Sequence, residues 1–203
     1  MITVIDLGIS NISSVRRALQ HLAVDVVVTD RPSEVGKAEK LILPGVGTFS
    51  EGMDKLRSLQ LDNILREMVI CEKIPILGIC LGMQLFAISS EEGGFTKGLG
   101  FINAKTCLHR AVQQGLRVPH IGWNDVQDNN LPLFDSIDNN TCFYFIHSYE
   151  VVPTEPAKVS YCNYGVDFVA AIQNDNINGV QFHPEKSQVA GLRLLNNFCA
   201  GVY

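Results

Sequence analysis

Over its first ninety residues the chain switches repeatedly between short, continuously apolar runs and stretches of helical apolar spacing, and this alternation restricts the fold more than any other feature. Thr3-Val4-Ile5-Asp6-Leu7 is stopped by Gly8, and the Ser/Asn cluster from Ser10 to Ser14 offers helix caps ahead of Val15, Ala18, Leu19 and Leu22. Val24 to Thr29 reads as a second strand, and Lys40-Leu41-Ile42-Leu43 as a third closed by Pro44-Gly45. Ser50 to Glu72 keeps a helical period through Met53, Leu56, Leu61, Ile64, Leu65 and Met68. Ile74 to Ile79 reads as the next strand, and Leu81 to Ser89 as a short helix. Strands apolar along their whole length and separated by helices predict a parallel sheet covered on both faces.

The grammar changes after Glu91. Gly93, Gly94, Gly98 and Gly100 punctuate loops, and the runs Cys142 to Val152, Asp167 to Gln173 and Asn178 to Phe182 read as strands joined by turns rich in Asn, Asp and Gly. A last helix spans about Ser187 to Cys199. The expectation is an α/β fold: a mixed, largely parallel central sheet flanked by helices, with a β-rich, partly antiparallel second half. With no repeat, low-complexity tract or linker, residues 1–203 read as one domain.

Composition excludes several classes of function. The chain is 46% hydrophobic and 18% charged, enough to bury a full core. Sixteen Lys+Arg against 21 Asp+Glu give a net charge of −5, which lacks the basic excess that nucleic acid demands. No run approaches the ~18 apolar residues of a membrane span. The N-terminus enters a strand-like segment without a basic region followed by an apolar one, so export is not indicated. Six cysteines lack any CxxC pair, and four sit in apolar runs that read as buried thiols; reduced cysteines and a cytoplasmic location are expected. The five histidines show neither HExxH nor a zinc-type Cys/His pair, so no metal is expected.

The strongest chemical signal is Gly78-Ile79-Cys80-Leu81-Gly82, placed where a buried strand meets a helix. This is the Gly-x-nucleophile-x-Gly form of a nucleophile elbow, in which side chains at the two glycine positions would collide with strand and helix. The new helix aims free N–H groups at the sulfur, and the Leu81 amide is placed to stabilise an oxyanion. Alone, the pentapeptide is equally compatible with one more buried cysteine. His183 and Glu185 supply what a nucleophilic thiol needs, since residues two apart on an extended chain face one side. The imidazole can take the thiol proton and return it to a leaving amine, while the carboxylate holds the ring's tautomer. Pro44-Gly45-Val46-Gly47, at what should be the same sheet edge, frees backbone N–H groups for a ligand oxygen. A thiol α/β-hydrolase shares the elbow, but its acid would lie between nucleophile and histidine in chain order; here the carboxylate follows the histidine.

These residues resemble the class I (triad) glutamine amidotransferases, nearly end to end. Within that family, five segments look like the glutaminase subunits of imidazole glycerol phosphate synthases. They are Pro44-Gly45-Val46-Gly47, Gly78 to Gln84, Pro119-His120-Ile121-Gly122-Trp123-Asn124, Phe143 to Tyr149 and Phe182-His183-Pro184-Glu185-Lys186-Ser187. The resemblance implies a flavodoxin-like sheet, no cofactor, and hydrolysis of L-glutamine to glutamate and ammonia through a thioester on Cys80 with His183 and Glu185. It also implies oxyanion amides at Val46 and Leu81, and a glutamine pocket lined by Gly47, Gln84, Glu92, Ser148 and Tyr149. Asn11, Trp123, Tyr144 and Lys186 match positions that face a (β/α)8-barrel synthase partner, which receives the ammonia in a heterodimer and makes imidazole glycerol phosphate and an aminoimidazole carboxamide ribotide in histidine biosynthesis. Asp6-Leu7-Gly8-Ile9-Ser10-Asn11 departs from the family's usual aromatic after the Asp and glycine before the Asn, as does Glu150-Val151-Val152 from its commonest form. Relatives that donate ammonia for amidation of other acceptors, including surface-polysaccharide sugars, are the alternative.

Overall fold

Among the residues described, 1–127 and 130–202 of a computed structural model, nine strands form one sheet and four a second. In chain order the strands are β1 (Ile2–Ile5), β2 (Val26–Thr29), β3 (Leu41–Gly45), β4 (Ile76–Cys80), β5 (Ser89–Ser90), β6 (Thr96–Lys97), β7 (Ala104–Leu108), β8 (His120–Gln127), β9 (Thr141–His147), β10 (Tyr149–Pro153), β11 (Lys158–Asn163), β12 (Asp167–Asn174) and β13 (Ile177–Val180). The helices are α1 (Ile12–His21), α2 (Pro32–Val35), α3 (Phe49–Ser58), α4 (Leu61–Arg66), α5 (Leu81–Leu85) and α6 (Gln188–Ala200).

The large sheet runs β2-β1-β3-β4-β13-β12-β11-β8-β9. Its first five members are parallel and the rest antiparallel, so the expected change of grammar is a change of sheet type. Alternate residues of the parallel strands feed two cores. Leu41 and Leu43 pack with Met53, Leu56, Leu61, Leu65 and Met83 of α3, α4 and α5. Ile42, Leu77 and Ile79 pack with Val15 and Leu19 of α1 and Leu194, Leu195 and Phe198 of α6. Burial on both faces is why these strands carry no polar alternation. Among the described residues, no helix is long and apolar enough to cross a membrane.

The antiparallel half curls back on the parallel half. Although β9 is the far edge of the sheet, Tyr144 accepts from the His183 amide at 2.9 Å through its carbonyl. Its own amide donates to Ser187 Oγ at 3.0 Å. The last strand therefore overhangs the carboxyl ends of β4 and β13.

Four sequence expectations need correction. The helix expected over Ser50 to Glu72 breaks at Gln60, whose φ of 57° is left-handed, and resumes as α4 followed by a π turn, Glu67–Cys71. The apolar period survives the break because both pieces bury the same face. The helix expected to Ser89 ends at Leu85, since the carbonyls of Leu85 and Phe86 accept from the amides of Leu99, Phe101 and Ile102 instead of a further helical turn. The run Cys142 to Val152 divides at Ser148 into β9 and β10, which lie in different sheets. Only Cys80 and Cys162 are buried; Cys107 and Cys199 are half-buried, while Cys71 and Cys142 are exposed. Cys142 sits on the outward side of a strand whose inward neighbour, Phe143, takes the core. All six thiols are free.

Candidate active site

Cys80 is the last residue of β4 and caps α5 with φ 54° and ψ −109°, a strained conformation that lifts the side chain out of the sheet. The flanking glycines are required by close approach. A Cβ on Gly82 would overlap the Leu43 carbonyl, and one on Gly78 would lie 2.6 Å from the Met83 nitrogen. Gly45 is the register partner of Cys80, so the Pro44-Gly45-Val46-Gly47 turn lies beside the sulfur at one sheet edge.

His183 and Glu185 arrive from β13, the strand inserted next to β4. His183 is extended, as expected, but it caps a 3-10 turn, Pro184–Lys186, that contains Glu185; the turn brings His183 Nδ1 within 2.8 Å of Glu185 Oε1. Both side chains are nearly sealed from solvent. Ser187 Oγ donates to the His183 carbonyl at 2.6 Å and so braces the turn from the start of α6. Burial alone would lower the imidazole pKa, but its interactions with Cys80 and Glu185 outweigh burial and push it up to about 10. His183 Nε2 is buried without another partner, leaving it for the thiol.

Beside the sulfur lies a cleft of about 270 Å³ lined by Val46, Gly47, Cys80, Leu81, Gln84, Glu92, Pro119, Ile146, His147, Ser148 and Tyr149. Every residue expected to bind glutamine or its oxyanion is among them, and Pro119, Ile146 and His147 are additions. Glu92 is pinned there by the Phe49 amide, 2.7 Å from Oε2. The Ser148–Tyr149 wall is fastened from behind by Glu150, fully buried and held by the Arg110 backbone amide, Nε and Nη2 at 2.7, 3.0 and 3.1 Å. The Val46 amide, expected to face an oxyanion, instead donates to the Ile9 carbonyl at 3.0 Å.

Trp123 and Tyr144, paired across β8 and β9, meet edge to face with centroids 5.9 Å apart, and Lys186 Nζ lies 5.5 Å from the Tyr144 ring. With Trp123 44% and Ile121 52% exposed, this is a surface patch. Asn11, also exposed, caps α1 by accepting from the Ser14 amide.

Behind the cleft, His109, His120 and His147 form a buried cluster that sequence spacing gave no means of finding. Its hydrogen bonds assign the tautomers. Asn124 Nδ2 donates to the Asn163 carbonyl and to His120 Nε2 at 3.2 Å, so His120 carries its hydrogen on Nδ1 and donates to His147 Nε2 at 3.1 Å. His147 Nδ1 then donates to the Tyr149 carbonyl at 2.9 Å. His109 Nδ1 accepts from the Ala111 amide, so its hydrogen is on Nε2. By these assignments the His147 Nε2 lone pair is taken up by the hydrogen of His120, and His109 Nε2 is buried without a hydrogen-bond partner. Burial lowers the pKa of all three, that of His120 to about 4.

The pH dependence of stability follows from these signs. Unfolded histidines protonate near pH 6.5 while the folded cluster stays neutral, so stability falls as pH drops from about 6.5 toward 4. His120 alone contributes about 2 kcal/mol of that loss at pH 5, and the thermal midpoint should drop by about 4–8 °C from pH 7. His183 acts in the opposite sense: its contribution is complete below pH 6.5 and disappears as pH rises through about 10. Thermal melts from pH 4.5 to 9 check this, and a flat acid limb would contradict a neutral cluster.

The family model for glutamine amidotransferase class-I matches residues 3–202. The chain is 45% identical to imidazole glycerol phosphate synthase subunit HisH 2 of Methanococcus maripaludis over 98% of both chains. It is 43% identical to subunit HisH 1 of Campylobacter jejuni over 98% of both, and 45% identical to HisH of Buchnera aphidicola over 97% of both. Among solved structures, a glutamine amidotransferase superposes with a TM-score of 0.77 at 18% identity, covering 98% of this chain and 97% of that one. A glutamine amidotransferase of Thermotoga maritima superposes at 0.66 and 17% identity, covering 98% and 82%. With a nucleophile elbow, a buried imidazole-carboxylate pair and a match over nearly its whole length, the chain belongs to the class I glutamine amidotransferases.

Proposed function

We propose that residues 1–203 act as one glutaminase domain, the ammonia-producing subunit of an imidazole glycerol phosphate synthase in histidine biosynthesis. The observation that carries the chemistry is the buried His183–Glu185 pair, 2.8 Å apart, whose imidazole interacts with Cys80 in the wall of the cleft. Held as an imidazolium by Cys80 and Glu185, His183 already carries the thiol proton, so the sulfur attacks the side-chain amide carbon of glutamine as a thiolate and the Leu81 amide receives the developing oxyanion. The imidazolium, steadied by Glu185, gives its proton to the leaving nitrogen, and ammonia departs to leave a γ-glutamyl thioester on Cys80. Water, deprotonated by the same imidazole, attacks the thioester and releases glutamate. Gly47, Gln84, Glu92, Ser148 and Tyr149 hold the substrate's ammonium and carboxylate. The near full-length identity to HisH subunits supports the pathway, and the six unpaired thiols suit a cytoplasmic setting.

The ammonia passes to a (β/α)8-barrel partner docked on the patch of Trp123, Tyr144 and Lys186, with Asn11 on its margin. Partner docking also has a route to the catalytic site. The second oxyanion donor, the Val46 amide, is engaged by Ile9, and Ile9 lies in the loop that ends at Asn11. Glutaminase turnover by the chain alone should therefore be slow and rise by about 5–150-fold or more in complex with the barrel partner when that partner holds its own substrate. Co-purification with the barrel partner, glutaminase assay with and without it, and mass spectrometry of the aminated product test the reading. Full turnover by the isolated chain would refute the coupling; amination of another acceptor, such as a sugar, would move the chain to the alternative.

A further inference from the structure

The row of polar groups behind the cleft ends on the nucleophile itself. Gln181, immediately after β13, is wholly buried, and a buried amide among apolar strand residues needs partners for both its ends. Its Nε2 lies 3.6 Å from Cys80 Sγ, and its Oε1 accepts from Gln84 Nε2 at 3.1 Å. Gln84 Nε2 also donates to the Tyr149 carbonyl at 3.0 Å.

This chain of contacts fixes which end of each amide is which. A backbone carbonyl only accepts, so the Gln84 atom facing Tyr149 is nitrogen. That nitrogen then meets oxygen on Gln181, and the nitrogen of Gln181 is turned to the sulfur. On its other side the sulfur meets an acceptor, the Ile146 carbonyl at 3.8 Å, to which the neutral thiol donates. With the proton on His183, that carbonyl opposes the charge on sulfur while the Gln181 N–H attracts it.

Resting on the glutaminase reading above, we propose that Gln181 is a positioning residue for the nucleophile: its buried amide donates to the Cys80 thiolate and is oriented by Gln84 in the wall of the substrate cleft. The nucleophile and the substrate wall are in this way one hydrogen-bonded row, from Tyr149 through Gln84 and Gln181 to Cys80.

Iodoacetamide, itself a small amide, tests this without any glutamine chemistry. Its rate of reaction with the Cys80 peptide, followed by mass spectrometry in the full-length chain from pH 6 to 9, is compared among wild type, Gln181→Met and Gln181→Glu. Met keeps the shape of Gln but has no N–H, and Glu places an acceptor at the sulfur. Alkylation at pH 7 should slow about 10-fold in Gln181→Met and about 100-fold in Gln181→Glu, with both profiles displaced to higher pH. In the complex, kcat for glutamine should fall with alkylation while KM changes less than about threefold. If Gln181→Met does not fold, as judged by its thermal melt, Gln84→Met serves: it leaves the sulfur untouched but frees the Gln181 amide, and should slow alkylation about threefold. A folded variant of either residue that alkylates Cys80 at the wild-type rate across the pH range overturns the proposal. Normal alkylation of wild type without glutamine hydrolysis in the complex would instead refute the glutaminase reading and leave the contact with sulfur standing.

Discussion

Cys80→Ala should abolish glutamine-dependent synthesis by the assembled enzyme, by about four orders of magnitude or more, while leaving synthesis from added ammonium salts within about a factor of two. The size follows from what the sulfur does. In the proposed mechanism it is the atom that bonds to substrate, and among the residues described as lining the cleft no other carries a thiol. The sparing of the ammonia-driven reaction follows from the proposed partition of chemistry between chains, in which the acceptor site belongs to the partner. Deletion of one sulfur atom from a residue that is already 6% exposed should barely disturb packing, so the variant should assemble normally. Parallel assays with glutamine and with ammonium chloride on the same preparation decide it. Loss of both activities would mean that the two sites are not separate.

The second large effect is structural. Gly82→Ala puts a methyl group into the Leu43 carbonyl, where backbone meets backbone and no side chain can rotate away. Relief requires α5 to move off β3, carrying Cys80 and the Leu81 amide with it. A cost of at least ~3 kcal/mol is expected, which is a large share of the ~5–15 kcal/mol that holds a typical domain together. The thermal midpoint should fall by about 6–12 °C, and glutaminase activity should drop further than the remaining folded fraction explains. A variant that melts with wild type and keeps its turnover would show that the helix does not need this close approach.

Much of this was legible in the residues. The parallel half announced itself because β1, β3 and β4 are buried on both faces, so each reads as a short, almost unbroken apolar run, a pattern that local physics dictates. The elbow was legible for the same reason: Gly78 and Gly82 are dictated by contacts within a few residues or with the adjacent strand. The His183-Glu185 pair was found through an extended-chain argument, whereas a 3-10 turn makes the contact. β7, β8 and β11 escaped notice as separate strands because their alternating burial leaves short, mixed segments. Gln181 carried one faint clue, a polar side chain in an apolar strand, but its role depends on Gln84, 97 residues away. The histidine cluster likewise gathers residues whose spacing follows no local rule, and the engagement of Val46 by Ile9 depends on how two loops lie against each other.

The order of strands also has a bearing on synthesis. Cys80 leaves the ribosome about a hundred residues ahead of His183, and β13, the strand that seals the open side of β4, is the last of all to be made. A nascent or truncated polypeptide ending before Ile177 thus carries its thiol without a base and exposes an unpaired, wholly apolar edge. Incomplete copies should therefore be inactive yet prone to stick to one another through that edge, and closing the sheet both arms the thiol and removes the hazard.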